Sequence, residues 1–229
     1  MDVRPVPGLE HEPFAEVWLH AIDERVLAQA FAAAEAIGKR GLEAWTTTRT
    51  PEVASFLLAR GFAQVRRYVI SELDVAAAPD PGDPALPLVT VAERADLGPA
   101  LYELARVAHP DQPGRAGTVI DESWFEWGFR RPPHESYFVA LDGGAVLGYG
   151  YLLDQEDGWE HGFLAVARAA RGRGIGGAIK RAQIRYARAH GIAALRTATE
   201  TRLAGMRELN RRLGYRDRYE EIALRGLAP

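Results

Sequence analysis

The stretch "RAARGRGIGGAIKRAQIRYARAHG", Arg168–Gly191, sets four glycines and two arginines directly ahead of a helix-patterned run. Ile175, Ile179, Ala182, Tyr186 and Ala189 recur at helical spacing and predict a buried stripe, with Lys180, Arg181, Arg185 and Arg188 mostly off it. A helix N-terminus presents N–H groups without intrahelical partners and the positive end of a dipole, so it suits an anion. Glycines let the backbone curl round a phosphate with several amides pointing inward. Arg171 and Arg173 add full charge, which suits a ligand carrying more than one phosphate.

The spacing admits two ligands. Gly172, Gly174 and Gly177 spell the dinucleotide fingerprint G-x-G-x-x-G, while Arg171–Gly176 spell R-G-x-G-x-G, a pyrophosphate cradle of another kind. The dinucleotide loop belongs right after the first strand of a domain with several strands to follow. Here Arg168–Arg171 separate the loop from the strand-like "WEHGFLAV", and only 52 residues (229 − 177) follow Gly177. Glu200 stands near the spacing of a ribose-binding acid, but position favours the second cradle. A glycine-rich turn ahead of a solvated basic helix is the reading without a ligand.

Outward from the loop, the chain repeats itself. "LEAWTTTRTPEVASFLLARGF" closes on Gly61–Phe62 and "LRTATETRLAGMRELNRRLGY" on Gly214–Tyr215, an offset of 153 residues (214 − 61). Both copies read as helix, strand, helix and extended run, with glycine closing the second helix. The offset projects the glycine loop onto Trp18–Asp23, "WLHAID", which has neither glycine nor arginine. The Pro-rich run "AAAPDPGDPALP" separates the copies. The predicted division is a degenerate partial domain over 1–78, a linker over 79–87 and a complete domain over 88–229. The second copy is the fuller one: "LVTVAERADLGPALYELARVAH" reads as strand then helix, and "SYFVALDGGAVLGYGYLLDQ" as a hairpin about Asp142–Gly143–Gly144.

Composition narrows the chemistry. With 229 residues, 47% of them hydrophobic, the chain can build a sizeable core. A net charge of −3 argues against general affinity for nucleic acid or anionic lipid. The absence of cysteine removes disulfides, thiolate metal sites and a cysteine nucleophile. No serine lies in G-x-S-x-G and no two histidines in H-x-x-x-H, so neither a hydrolase elbow nor a metal site is expected. The first twenty residues carry acids, His and Pro rather than an apolar core, and no apolar run approaches the ~20 residues that span a bilayer. A cytoplasmic protein without membrane or nucleic-acid partners is the expectation.

From Ser136 to Tyr215 the chain resembles the GNAT superfamily of acyl-CoA-dependent N-acyltransferases. The resemblance rests on "VALDGGAVLGYG", "LAVARAARGRGIGGAIK" and "MRELNRRLGY". The first copy resembles the C-terminal half of a second such domain, so the whole is similar to tandem members, the group that includes mycothiol synthase. The resemblance implies an α/β (α+β) fold, a mixed, mostly antiparallel sheet flanked by helices and preceded by a partial half-domain. It implies acetyl-CoA as cosubstrate without a metal, and direct transfer to an amine of a small molecule or an amino terminus. A monomer or homodimer is expected. It places the CoA pyrophosphate on Arg171, Gly172, Arg173, Gly174, Ile175 and Gly176. It lays the pantetheine arm along Leu164 and Val166 where the strand bulges, and brings Asn210 toward the cofactor sulfur. The first copy, lacking the loop, is expected to bind no CoA and to serve as a structural partner.

Acetyl transfer needs the amine neutral, so a base must take its proton. Strict alternation along "WEHGFLAV" puts Glu160 on the face of Leu164 and Val166 and His161 on the other. Glu160 also matches the spacing of a catalytic glutamate in several family members; an exposed strand-end carboxylate is its bland reading. The family's Tyr on the last helix is Asn210 here, which cannot act as an acid, and Tyr215 reads as core. Trp124, Phe125, Trp127 and Phe129 fall where the family builds its acceptor site, and read either as core or as pocket lining. The missing Tyr and the degenerate first copy leave one alternative open, a catalytically idle acyl-CoA-binding or interaction module.

Overall fold

The structure, a computed structural model, describes residues 1–82 and 86–228, apart from the side chains of Trp124 and Trp127. Residues 83–85 of the predicted linker therefore lie outside the described residues. The elements are β1 (Val3–Pro5), β2 (Phe14–Trp18), α1 (Glu24–Ala36), β3 (Gly41–Thr47), α2 (Pro51–Leu58) and β4 (Ala63–Asp74). They continue as β5 (Leu88–Thr90), α3 (Gly98–Ala108), α4 (Glu122–Arg130), β6 (Phe138–Asp142), β7 (Ala145–Gln155) and β8 (Gly158–Val166). The last four are α5 (Ile175–Ala189), β9 (Ala194–Glu200), α6 (Ala204–Arg212) and β10 (Arg216–Leu227). β3 and β9 begin and end 153 residues apart, and so do β4 and β10. β1, β2 and α4 were not among the expected elements.

The chain forms two compact units. One comprises Met1–Ile70, Glu200–Arg202 and Arg218–Pro229; the other comprises Ser71–Thr199 and Leu203–Asp217. In the first unit β2 runs antiparallel to β1 and parallel to β3, and β10 lies between β3 and β4. Ala15, Val17, Leu42 and Ala44 point to one face, where Leu27 and Ala30 of α1 and Val53 and Leu57 of α2 close the core. The other face carries charge. Arg66, 1% exposed, is ion-paired with the fully buried Glu43 and stacks over Trp45, its guanidinium 5.1 Å from the ring. Glu43 also accepts from Trp45 Nε1 at 3.2 Å and from Arg225 Nε at 2.8 Å.

In the second unit the strand order is β9-β8-β7-β6-β5, antiparallel except for β8 and β9. α3 and α4 cover one face through Leu101, Leu104, Ala105 and Phe125 on Tyr149, Val139 and Ala165. α5 covers the other through Ile175 and Ile179, which pack on Ala140, Leu164 and Val166. Helix and neighbouring strand both come close to Gly148: a Cβ there would stand 3.0 Å from Ile175 of α5 and 2.7 Å from the Ala165 carbonyl oxygen of β8.

Breaking a buried ion pair by deleting one partner typically costs about 3–5 kcal/mol, because the other charge stays buried. Glu43→Ala is therefore expected to destabilise the first unit by about that amount, measured as a drop in the midpoint of urea unfolding. A loss below about 1 kcal/mol, the worth of an exposed pair, would contradict this reading of Arg66 and Glu43.

Candidate functional site

β8 pairs with β7 along its length, but with β9 only at Trp159–Leu195 and Glu160–Arg196. Beyond Glu160 the two parallel strands separate, leaving the β9-side edge of β8 without a strand partner. The register with β7 shifts at the same place: Leu152 faces His161 while Gly150 faces Leu164, so Gly162 and Phe163 together oppose Tyr151. This is a β-bulge, one extra residue in β8. Only glycine fits at 162, where a Cβ would lie 1.9 Å from the Tyr151 ring.

The bulge corrects the predicted faces. His161, Leu164 and Val166 oppose Leu152, Gly150 and Gly148 and share the face of α5, whereas Glu160 opposes Leu153 and shares the face of Tyr151 and α3. Strict alternation fails because the inserted residue reverses parity for everything after it.

A cleft of about 470 Å³ opens beside the free edge. Phe163–Val166 line one wall, Leu203, Gly205 and Met206 at the start of α6 another, and Ala108 with Asp111–Pro113 the segment after α3. At one end α5 begins. Gly172 and Gly174 hold φ of +78° and +80°, a conformation that disfavours side chains, and Gly174 caps the helix with no side-chain hydrogen bond. The first-turn amides of α5 are thus left for another acceptor. Ile175 is buried in the core, and Gly176 stands between Leu164 and Met206. The corresponding start of α1 differs: Asp23 caps it, its carboxylate accepting from Val26 N at 2.8 Å.

Arg171 lines the cleft and is tied on two sides, Nε donating to the Val166 carbonyl at 3.2 Å and Nη2 to Asp111 at 2.6 Å. Arg168 also pairs with Asp111, and the two guanidiniums, Arg168 first, hold that carboxyl well below the usual range. Arg173 is more exposed, 3.8 Å from Asp142. Asp111 was not singled out from sequence, because it sits on a segment without a motif; the α6 wall includes Met206, the first residue of the stretch "MRELNRRLGY".

Among α5, α6, β8 and β9 lies a buried polar cluster. Asn210, 2% exposed, donates to Thr199 Oγ1 at 2.9 Å, and its own Oδ1 has no partner among the described residues. His161 Nδ1 donates to Gln183 Oε1 at 2.9 Å and its Nε2 accepts from the Tyr215 hydroxyl. Burial, and then the Lys180 charge, hold His161 well below its ordinary range, so it is neutral near pH 7. Lys180 is 2% exposed rather than off the buried stripe, donating to Thr197 Oγ1 at 3.2 Å; burial lowers it to about 7. The expectation of an outward Lys180 fails because this part of α5 is roofed by β9 as well as β8.

On the opposite face, Phe125 is 6% exposed and packs in the core of α3 and α4; with Phe129 it also lines a cavity of about 20 Å³ bounded by Tyr137, Tyr149 and Tyr151. Phe125 therefore takes the core role of the two expected. The side chains of Trp124 and Trp127 lie outside the described residues. Glu160 stands at the apex where β8 leaves β9. Its Oε1 accepts from Gln155 Nε2 at 2.7 Å, and its Oε2 is 3.9 Å from Arg196 Nη2.

A sequence model of the "Acetyltransferase (GNAT) family" matches residues 99–215, more than half of the chain. The chain belongs to that family. Its fold is the GNAT fold, a mixed sheet flanked by helices. Among solved structures it is similar to a GCN5-related N-acetyltransferase from Sphaerobacter thermophilus, at 17% identity and a TM-score of 0.74, over 99% of this chain and 75% of that one. It is similar also to a tandem GNAT protein from the clavulanic acid biosynthesis pathway (20% identity, TM-score 0.69, 95% and 76% covered). A third is a GCN5-related N-acetyltransferase from Kribbella flavida (18%, 0.66, 99% and 84%). No curated protein matches the sequence. Among the described residues no helix is long and apolar enough to cross a membrane, and no three His, Asp or Glu side chains group as a metal site.

Lys180 carries a stability prediction. Its folded value near 7 lies below the unfolded value of about 10.4, so between those pH values the unfolded chain binds more protons and stability rises with pH. Lys180→Met is expected to be more stable than the parent at pH 6.5 and to lose most of the rise between pH 7 and 10, read from urea midpoints. An unchanged rise would place the titrating group elsewhere.

Proposed function

We propose that this chain transfers an acetyl group from acetyl-CoA directly to an amine of a small molecule or an amino terminus. The observation that carries the proposal is the free edge of β8 leading to the uncapped, glycine-turned start of α5. Extended backbone with open hydrogen-bonding groups suits the amide-bearing pantetheine arm along Leu164 and Val166. The amides after Gly174, with Gly172, Ile175, Gly176 and the charge of Arg171 and Arg173, suit the pyrophosphate. Asn210 lies one turn after Met206, which lines the cleft, and its Oδ1 has no hydrogen-bond partner among the described residues; in this reading that side chain approaches the cofactor sulfur.

Acetyl-CoA supplies the acyl group as an activated thioester. Glu160 is the base in this reading. Because it sits three residues short of the cleft wall at Phe163, it takes the amine proton through water. As the amine lone pair forms the N–C bond, the C–S bond breaks and its electron pair leaves with sulfur. The proton released to Glu160 returns through solvent to the thiolate, a group stable enough near neutrality to leave unassisted. In this reading a backbone N–H of the bulge polarises the thioester carbonyl.

We read the chain as a tandem member of the family, cytoplasmic, monomeric or homodimeric, with 1–78 a degenerate half-domain, 79–87 a linker and 88–229 the catalytic domain. The shared 153-residue offset of β3 and β9, and of β4 and β10, supports the duplication. The first copy should bind no CoA. β2 and β3 stay paired from Phe14–Gly41 to Trp18–Trp45, so no edge is free, and Asp23 sets a carboxylate where a phosphate would sit.

Calorimetric titration is expected to give one CoA per chain. Arg171→Ala with Arg173→Ala should weaken binding by about 1.5–3 kcal/mol at low salt and by less at high salt; unchanged affinity would remove the phosphate assignment. Incubation of the protein with acetyl-CoA and a metabolite extract, followed by mass spectrometry, should reveal an acetylated amine. Glu160→Gln should slow its formation by about 10²–10⁴. CoA binding without any acetylated product would favour the idle module.

A further inference from the structure

We propose that Gln155 is a positioning residue for Glu160, dictating which carboxylate oxygen is left to receive the proton. The proposal rests on the reading of Glu160 as the base. In the β7–β8 ladder Leu153 faces Glu160 and Gln155 faces Gly158, so Gln155 and Glu160 are diagonal neighbours on one face. Gln155 Nε2 donates to Glu160 Oε1 at 2.7 Å, while Gln155 Oε1 accepts from Arg131 Nη2. A guanidinium has only donors and a carboxylate only acceptors. Between them the amide has one workable orientation; turned over, it would set NH₂ against Arg131 and a carbonyl against Glu160. Arg131 therefore fixes the amide, and the amide fixes the carboxylate.

The two oxygens of Glu160 become unequal. Oε1 is held by Gln155, and Oε2 faces Arg196 Nη2 at 3.9 Å, within ion-pair distance but outside hydrogen-bond reach. Arg196 is itself bound by both oxygens of Asp157 in the β7–β8 turn. The groups facing Glu160 are thus Gln155 and the buried Tyr151 from β7, Arg196 from β9, and Arg131, behind Gln155, from the segment after α4. Oε2 is the oxygen left open, at the apex where β8 parts from β9, which is the side a water chain from the cleft would reach.

Two measurements on the full chain test this. The first needs no substrate: in ¹⁵N NMR the Gln155 side-chain amide, assigned by its loss in Gln155→Leu, should show one strongly downfield N–H that moves upfield in Glu160→Gln and in Arg131→Met. An amide indifferent to both substitutions overturns the proposal. The second is a double-mutant cycle on thiol release from acetyl-CoA, with a panel of aliphatic, aromatic and α-amino primary amines as probe. Gln155→Leu should lower turnover about tenfold, the worth of one hydrogen bond, with CoA affinity unchanged. In the Glu160→Gln background the same substitution should cost nothing further. An undiminished loss in that background overturns the proposal, since Gln155 would then act other than through Glu160. Full turnover by Glu160→Gln alone would instead remove the base assignment, whatever the amide spectrum shows.

Discussion

A strand inside a sheet has hydrogen-bonding groups on both edges, and each must find a partner or face water. β8 satisfies one edge with β7 and abandons the other after Glu160. The rest of the second unit is arranged around that break. The bulge at Gly162–Phe163 falls where β8 turns away from β9, and the Tyr151 ring packed on Gly162 leaves no room for a side chain there. The opened edge needs a far wall, supplied by the start of α6. It also needs an end, and the glycines ahead of α5 supply one with its amides uncovered.

The first unit shows what the same sequence plan yields without the break. β2 and β3 remain zipped to Trp18–Trp45, the helix that follows is capped by its own aspartate, and the sheet face opposite the helices holds Glu43 and Arg66. Each difference traces to a few residues: Asp23 in place of an uncapped glycine, and no glycine inside β2 to admit a bulge.

Much of this was legible in the sequence because it is local. Helical spacing after Gly174, the Asp142–Gly144 turn and the 153-residue offset each declare an element without reference to distant residues. The faces of β8 were not legible by alternation, since a single inserted residue reverses them. Gly162 was the available signal, a lone glycine in a strand pattern, which marks a bulge or a close approach. Lys180 and Asp111 lay beyond sequence reasoning for another reason. Whether a lysine on α5 is solvated depends on where β9 runs, and Asp111 gains its partners only when the segment after α3 meets the turn at Arg168 and Arg171.

β10 lies between β3 and β4, although some 180 residues separate its pairs with β3, from Glu221–Thr47 to Leu227–Gly41. Translation therefore matters. At about 5–20 residues per second, β3 and β4 emerge from the ribosome roughly 10–35 s before the strand that joins them. For that interval both present unpaired backbone edges, the kind that recruit other chains. The N-terminal segment is made first and finished last, and a nascent chain stalled between the end of β4 and residue 216 would expose those edges to chaperones and aggregation alike.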